Sequence, residues 1–203
     1  MEAAKVTMIG STRVGKTSIL SSMYEQFDKT VKDACLQLIP DDETASTLGE
    51  RLAELKSVAN NQHFKYSSKY EGEIKSTDEE KKFKFEIGNS KKGNFLDLEF
   101  IDYPGLWLVK DKKFVREKLT ECIATIITID AAALMEKNGR WNELINRPTE
   151  VIAMYKQAFK QLSEPRIVLF APVKCEAYLK ETQTQEKLLK RIEDEYSSLI
   201  DFF

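Results

Sequence analysis

Lys5-Val6-Thr7-Met8-Ile9-Gly10-Ser11-Thr12-Arg13-Val14-Gly15-Lys16-Thr17-Ser18 is the stretch that decides the fold. Its first five residues form a short apolar run that reads as a strand. After it, Ile19, Leu20, Met23, Tyr24 and Phe27 recur at helical spacing. Between strand and helix stands Gly10-x4-Gly15-Lys16-Thr17. Small glycines let successive backbone N–H groups turn inward around phosphate oxygens, and the helix that follows adds its positive N-terminal end. Gly10, Ser11, Thr12, Arg13, Val14, Gly15, Lys16, Thr17 and Ser18 are therefore the expected phosphate-binding loop. Lys16 is placed to reach β- and γ-phosphates, and the Thr17 hydroxyl to ligate Mg²⁺.

Outward from this loop, residues 28–40 show no clear pattern. Pro40-Asp41-Asp42 signals a helix start, and Leu48, Leu52, Leu55 and Val58 line one helical face to about Asn60. Residues 61–80 are polar and read as a loop. Phe83, Phe85 and Ile87 alternate with Lys84 and Glu86, and Leu96, Leu98 and Phe100 alternate again after a turn at 88–94. That is a β-hairpin. Its second strand runs into Ile101-Asp102-Tyr103-Pro104-Gly105.

A charged helical stretch, Lys112 to Cys122, precedes the near-continuous apolar run Ile123 to Asp130. Such a run marks a strand buried on both faces, as in a parallel sheet. Residues 131–147 follow no template. Pro148 suits a first helical position, and Val151, Ile152, Tyr155, Phe159 and Leu162 supply that helix's apolar face until Pro165. Arg166 to Val173 is another strand, ending at Lys174-Cys175-Glu176. Leu188, Leu189, Ile192, Tyr196 and Leu199 stripe a final helix. Strands alternating with helices predict an α/β fold with a mostly parallel sheet and right-handed crossovers.

Composition excludes several classes. The chain has 203 residues, enough to bury a core as one domain, and 42% hydrophobic content argues against wholesale disorder. No apolar run approaches the length of a membrane span, and Met1 to Gly10 lacks the pattern of a secretory signal. A net charge of −2 argues against a chain built to coat nucleic acid. Cys35, Cys122 and Cys175 are odd in number and far apart, which points to reduced thiols in the cytoplasm. A lone His and no paired Cys exclude a structural zinc site.

Asp102-Tyr103-Pro104-Gly105 ends the hairpin strand, where a carboxylate can hold Mg²⁺ opposite Thr17 and the Gly105 N–H can meet a γ-phosphate. With GSTRVGKTS, the hairpin and DYPG in this order, the chain resembles P-loop GTPases of the Ras-like and translation-factor-related class. The resemblance implies a three-layer P-loop NTPase fold whose five strands take the order 2-3-1-4-5, with one antiparallel edge strand from the hairpin. It implies a GTP/GDP-binding molecular switch with Mg²⁺ as cofactor, hydrolysing GTP to GDP and phosphate. The ordered elements cover nearly the whole chain; the specific motifs cover about twenty residues.

The family's base-reading motif is [N/T]-K-x-D, and here its place holds Val173-Lys174-Cys175-Glu176. Lys174 matches the lysine that packs over guanine. Glu176 replaces the aspartate that accepts from guanine N1 and N2, a pair of donors that adenine lacks. Glu is one methylene longer, and Val173 cannot make the asparagine's ties to the phosphate loop. The family also needs a switch threonine on Mg²⁺ and the γ-phosphate. Thr77 fits, with Ser76, Thr44 and Thr47 as competitors.

Many Ras-like enzymes place Gln after D-x-x-G to orient water; here Leu106 stands there, followed by Trp107. An apolar side chain cannot orient water. Arg13 is the candidate replacement, since guanylate-binding proteins of the dynamin-like group carry a similar arginine that acts as a finger in cis when their G domains dimerise. Hydrolysis is thus expected to be weak in the monomer and stimulated by self-association or a partner. The catalytic set so read is Lys16, Arg13 and Thr77, and the metal set Thr17, Asp102 and Thr77. Insertions at about 30–80 and 131–163, the latter holding Trp141, are expected to form partner surfaces or lids.

The overall pattern resembles bacterial GTPases of the double-GTPase conflict-system type. Two rival readings remain: a pseudo-GTPase that holds nucleotide as a scaffold, and an ATP-using P-loop enzyme. The family normally adds a sixth strand and a last helix after the base motif. Only 27 residues follow Glu176 here. The sixth strand is expected to be lacking, with Leu199 to Phe203 at most its beginning. The expectation is therefore a single domain over 1–203, cut short or completed by more chain or a partner.

Overall fold

The computed structural model describes residues 3–33, 36–61, 77–89, 91, 93–160 and 166–202. Cys35, Ser76, Leu162 and Pro165, most of the 61–80 loop, and the Val58 side chain lie outside what is described. The elements run β1 (Ala4–Ile9), α1 (Lys16–Asp33), β2 (Gln37–Pro40), α2 (Asp42–Asn61), β3 (Lys81–Asn89) and β4 (Gly93–Asp102). They continue with α3 (Trp107–Lys110), α4 (Lys112–Glu121), β5 (Ala124–Asp130), α5 (Ala131–Met135) and a 3₁₀ turn at Glu136–Gly139. The last are α6 (Asn142–Ile145), α7 (Pro148–Ala158), β6 (Ile167–Val173) and α8 (Thr182–Ile200).

One six-stranded mixed sheet has the order β2-β3-β4-β1-β5-β6. β1 pairs parallel with β4 and β5, and β5 with β6; β2–β3 and β3–β4 are antiparallel. The five strands expected from the sequence take their expected order. Two expectations are corrected. A sixth strand is present, and it comes from residues 37–40, ahead of the hairpin. The reversed strand, β3, is not at the edge, because β2 covers it. β2 escapes a sequence reading because it has four residues and ends in Pro40, too few to show alternation. Proline is tolerated there because the strand is at the sheet edge. Leu199 and Ile200, expected as at most the start of a strand, instead complete α8.

Every residue of β5 is buried, as its near-continuous apolar run requires of a strand covered on both faces. On one face Val6, Met8, Phe83, Phe85, Phe100 and Ile126 pack under Leu20 of α1 and Leu48 of α2. On the other, Ile9, Ile101, Ile127 and Ile129 pack under Leu119 of α4, Val151 and Tyr155 of α7, and Ile192 and Tyr196 of α8. Each buried aliphatic or aromatic side chain contributes about 1.5–3 kcal/mol. Asp41 caps α2, its Oδ1 accepting from Thr44 N at 2.8 Å. Among the described residues, no helix is long and apolar enough to cross a membrane. Because β1, β4, β5 and β6 run parallel, their C-terminal ends share one edge of the sheet, the place where open α/β sheets bind ligands.

Candidate functional site

Residues 10–15 leave the end of β1 and enter α1. Gly15 has φ 111°, a conformation that only glycine adopts without strain, and Arg13 has φ 63°. The Lys16 side chain folds back over the loop: Nζ donates to Gly10 O at 3.0 Å and Ser11 O at 3.3 Å. Lys16 is only 6% exposed, so burial pushes its ammonium below the ordinary 10.5, while the Asp102 carboxylate pulls it back up. A buried cation on carbonyl oxygens is costly without an anion beside it.

Asp102 ends β4 and is fully buried. Its Oδ2 accepts from Thr17 Oγ1 at 2.5 Å and from Thr77 Oγ1 at 3.3 Å, and the two hydroxyls stand 3.1 Å apart. Three distant segments thus place three hard oxygens together, while Asp102 Oδ1 has no partner among the described residues. One carboxylate with hydroxyls suits Mg²⁺, which keeps waters and takes its other oxygens from phosphates. Among the described residues no group of three His, Cys, Asp or Glu forms a metal site of another kind. Of the competitors of Thr77, Thr44 is committed elsewhere, its Oγ1 accepting from Lys84 N at 2.8 Å, and Thr47 lies within α2.

Gly105 closes the site from the β4 side. A Cβ placed on it would lie 2.2 Å from Ser11 C and from Thr12 N, so the 102–105 turn rests directly on the 10–15 loop. Behind it Tyr103 stacks on Trp107 at 6.3 Å, and both meet Phe114 edge-on. This aromatic wedge leaves the turn little room to retreat. Gly105→Ala should cost about 1–3 kcal/mol in overpacking and lower the unfolding temperature by roughly 2–12 °C. A variant melting with the wild type would show that the two loops are not pressed together.

β6 delivers Lys174 at φ 53° to the far side of the loop. Its Nζ donates to Asp130 Oδ2 at 2.5 Å and lies 3.5 Å from Arg13 O. Val173 rests against the loop through apolar contact, its methyls 3.9 Å from where a Gly15 Cβ would stand. Glu176 is exposed two residues further on, and Arg13 is exposed on the loop. Neither joins the Asp102 cluster.

Sequence reasoning missed a polar buttress under β5. Asn146 Oδ1 accepts from Asp130 N at 2.8 Å, while its Nδ2 donates to Asp130 O at 3.1 Å and to Asn142 Oδ1 at 2.7 Å. Asp130 Oδ1 also caps α5, accepting from Ala133 N at 2.9 Å. The i,i+4 pair Asn142 and Asn146 was the available signal, but nothing local ties it to Asp130. Burial pushes the Cys122 thiol up to about 12 and raises Cys175, so neither is a reactive thiolate. No protein-family model matches this sequence, and a search of curated proteins finds no match.

Proposed function

We propose that this chain is a cytosolic guanine-nucleotide-binding protein and Mg²⁺-dependent GTPase that acts as a molecular switch. The observation carrying the reading is the convergence of Thr17, Thr77 and Asp102 beside a buried Lys16. In this reading the backbone of residues 10–18 holds the phosphates and Lys16 neutralises them. Thr17, Asp102 and Thr77 hold Mg²⁺, which when bound supplies charge neutralisation of the β- and γ-oxygens. Water attacks the γ-phosphorus, the bond to the β–γ bridging oxygen breaks, and its electron pair leaves on GDP. Of the water's protons, one stays on phosphate and one passes to solvent. Partners would read the state of the Thr77 and Gly105 segments, and a homodimer or partner protein would meet them and the residues 131–147.

Guanine preference rests on Lys174 and Glu176. Competition for labelled GDP separates GTP from ATP, because a site that accepts from guanine N1 and N2 rejects adenine by up to about 10⁴-fold. Glu176→Ala should weaken GTP by about 10–100-fold, the worth of charged hydrogen bonds, and leave ATP unchanged. Equal competition by ATP would favour the ATP-using reading. Leu106, apolar and 47% exposed beside Gly105, favours the scaffold reading. Bound GTP that stays intact for hours would establish that reading in place of the GTPase.

A further inference from the structure

A cleft of about 190 Å³ opens on the phosphate loop, lined by Ser11, Thr12, Gly105 and Leu106 on one side and by Leu144 and Arg147 among the residues opposite. Among the described residues that line it, Arg147 alone is of a charged type. We propose that Arg147, in place of the Arg13 expected from the sequence, is the catalytic arginine of this chain, supplied in cis to the γ-phosphoryl group as it is transferred. The inference rests on the GTPase reading above.

Four observations carry it. First, the cleft touches the loop at Ser11 and Thr12, and Lys16 already bonds the Ser11 carbonyl from within. A second cationic residue thus lines the same short segment, next to Gly105. Second, Ser11 is 7% exposed and its Oγ has no hydrogen-bond partner among the described residues, so a polar group at the cleft is left for a ligand. Third, Leu106, Val109, Leu144 and Ile145 complete the lining beside the polar Ser11 and Thr12, and a guanidinium acts more strongly on developing charge in a partly apolar cleft than in water. Its guanidinium pairs with Glu150, Oε1 lying 3.6 Å from Nη1, a partly exposed ion pair of small worth that a phosphate can outcompete.

Fourth, Arg147 is held in the left-handed region at φ 53°, ψ 49°, immediately before Pro148. A non-glycine residue pays for that conformation, and such strain gathers at functional sites. The holding contacts are visible: Arg147 N donates to Asn142 O at 3.3 Å, its O accepts from Val151 N at 3.1 Å, and its neighbour Asn146 is locked to Asp130. The buried amide buttress thus fixes the backbone of Arg147 where that residue lines the cleft. Arg147 answers the deficit left by Leu106, since charge stabilisation can replace part of what a water-orienting glutamine supplies.

The test compares wild type, Arg147→Gly and Arg147→Lys. Affinity is measured for Mg²⁺·GDP and for Mg²⁺·GDP with aluminium fluoride, a mimic of the transferring phosphoryl, together with single-turnover GTP hydrolysis. Glycine relieves the strained φ, so Arg147→Gly should melt at or above the wild-type temperature and bind GDP within about threefold of wild type. Its single-turnover rate should fall ~10³-fold, with a parallel loss of the aluminium-fluoride complex. Lysine keeps the charge without the fork and should recover only part of the loss. An unchanged rate in Arg147→Gly, or equal losses for GDP and its aluminium-fluoride complex, would overturn the inference. Wild type that binds GDP without hydrolysing GTP overturns it while leaving nucleotide binding intact. Wild type that binds no guanine nucleotide overturns both.

Discussion

Lys16→Met is expected to abolish stabilisation by Mg²⁺·GTP while leaving the nucleotide-free protein as stable as wild type, or more so. The two signs have one cause. Lys16 is buried on the Gly10 and Ser11 carbonyls, and its ammonium is pushed down by desolvation. Methionine has similar length and no charge to desolvate, so removing the ammonium relieves a cost that only an anion offsets. Asp102 keeps its two hydroxyl donors, so it is not stranded by the change. With phosphate present the balance reverses. Charge-assisted hydrogen bonds contribute about 1.5–3 kcal/mol each, so affinity should fall by roughly 100-fold. Thermal unfolding with and without Mg²⁺·GTP reads both effects. A destabilised variant that still gains stability from GTP would remove Lys16 from the phosphate site.

Asp102→Asn should be destabilising without nucleotide and should remove the Mg²⁺ dependence of nucleotide binding. The substitution keeps shape and loses charge. Thr17 and Thr77 would lose a charged acceptor, and Lys16 its compensating field. The expected cost is about 1–3 kcal/mol, or roughly 2–12 °C in unfolding temperature. Because the two charges act on one another, their effects should not add. Asp102→Asn should destabilise the Lys16→Met protein less than it destabilises wild type. In wild type, chelating Mg²⁺ should release nucleotide; in Asp102→Asn, chelation should change retention little. Full Mg²⁺ dependence in the variant would show that the Thr17–Thr77–Asp102 cluster is a structural hydrogen-bond knot.

The parts of the fold that were legible in the sequence are those with strong periodicity. Ile123 to Asp130 reads as a doubly buried strand because only the small, β-branched Thr125 and Thr128 interrupt its apolar run, and β5 is that strand. The hairpin is legible because Lys84 and Glu86 alternate with Phe83, Phe85 and Ile87. β2 was not, since four residues carry too little pattern. Residues 131–147 were not, because α5, the 3₁₀ turn and α6 each have only four or five residues, too few to show a stripe, and Asn146 ties α6 to the end of β5 through Asp130. At the candidate site, the passage from β1 through residues 10–15 into α1 was readable because its signals are local. Thr77 could be named only among competitors, and Arg147 not at all. Thr77 meets Asp102 and Thr17 across 25 and 60 residues of chain, Arg147 shares its cleft with residues as far off as Ser11, and no local pattern encodes such distances.

The hairpin has a role that its turn conceals. β3 and β4 pair with Lys81 opposite Asp102, and Thr77 lies four residues before Lys81. The strand that runs against its neighbours therefore works as a ruler. It starts at the turn near Asn89 and Gly93 and measures, pair by pair, the distance to the place where Thr77 meets Asp102. A two-residue slip of that register would carry Thr77 by about 7 Å, far beyond any hydrogen bond. Residues added to the turn leave the ruler's length intact, whereas a residue added within β3 miscalibrates it. The oxygen cluster thus inherits the accuracy of nine ladder pairs whose turn lies at the opposite end of the hairpin.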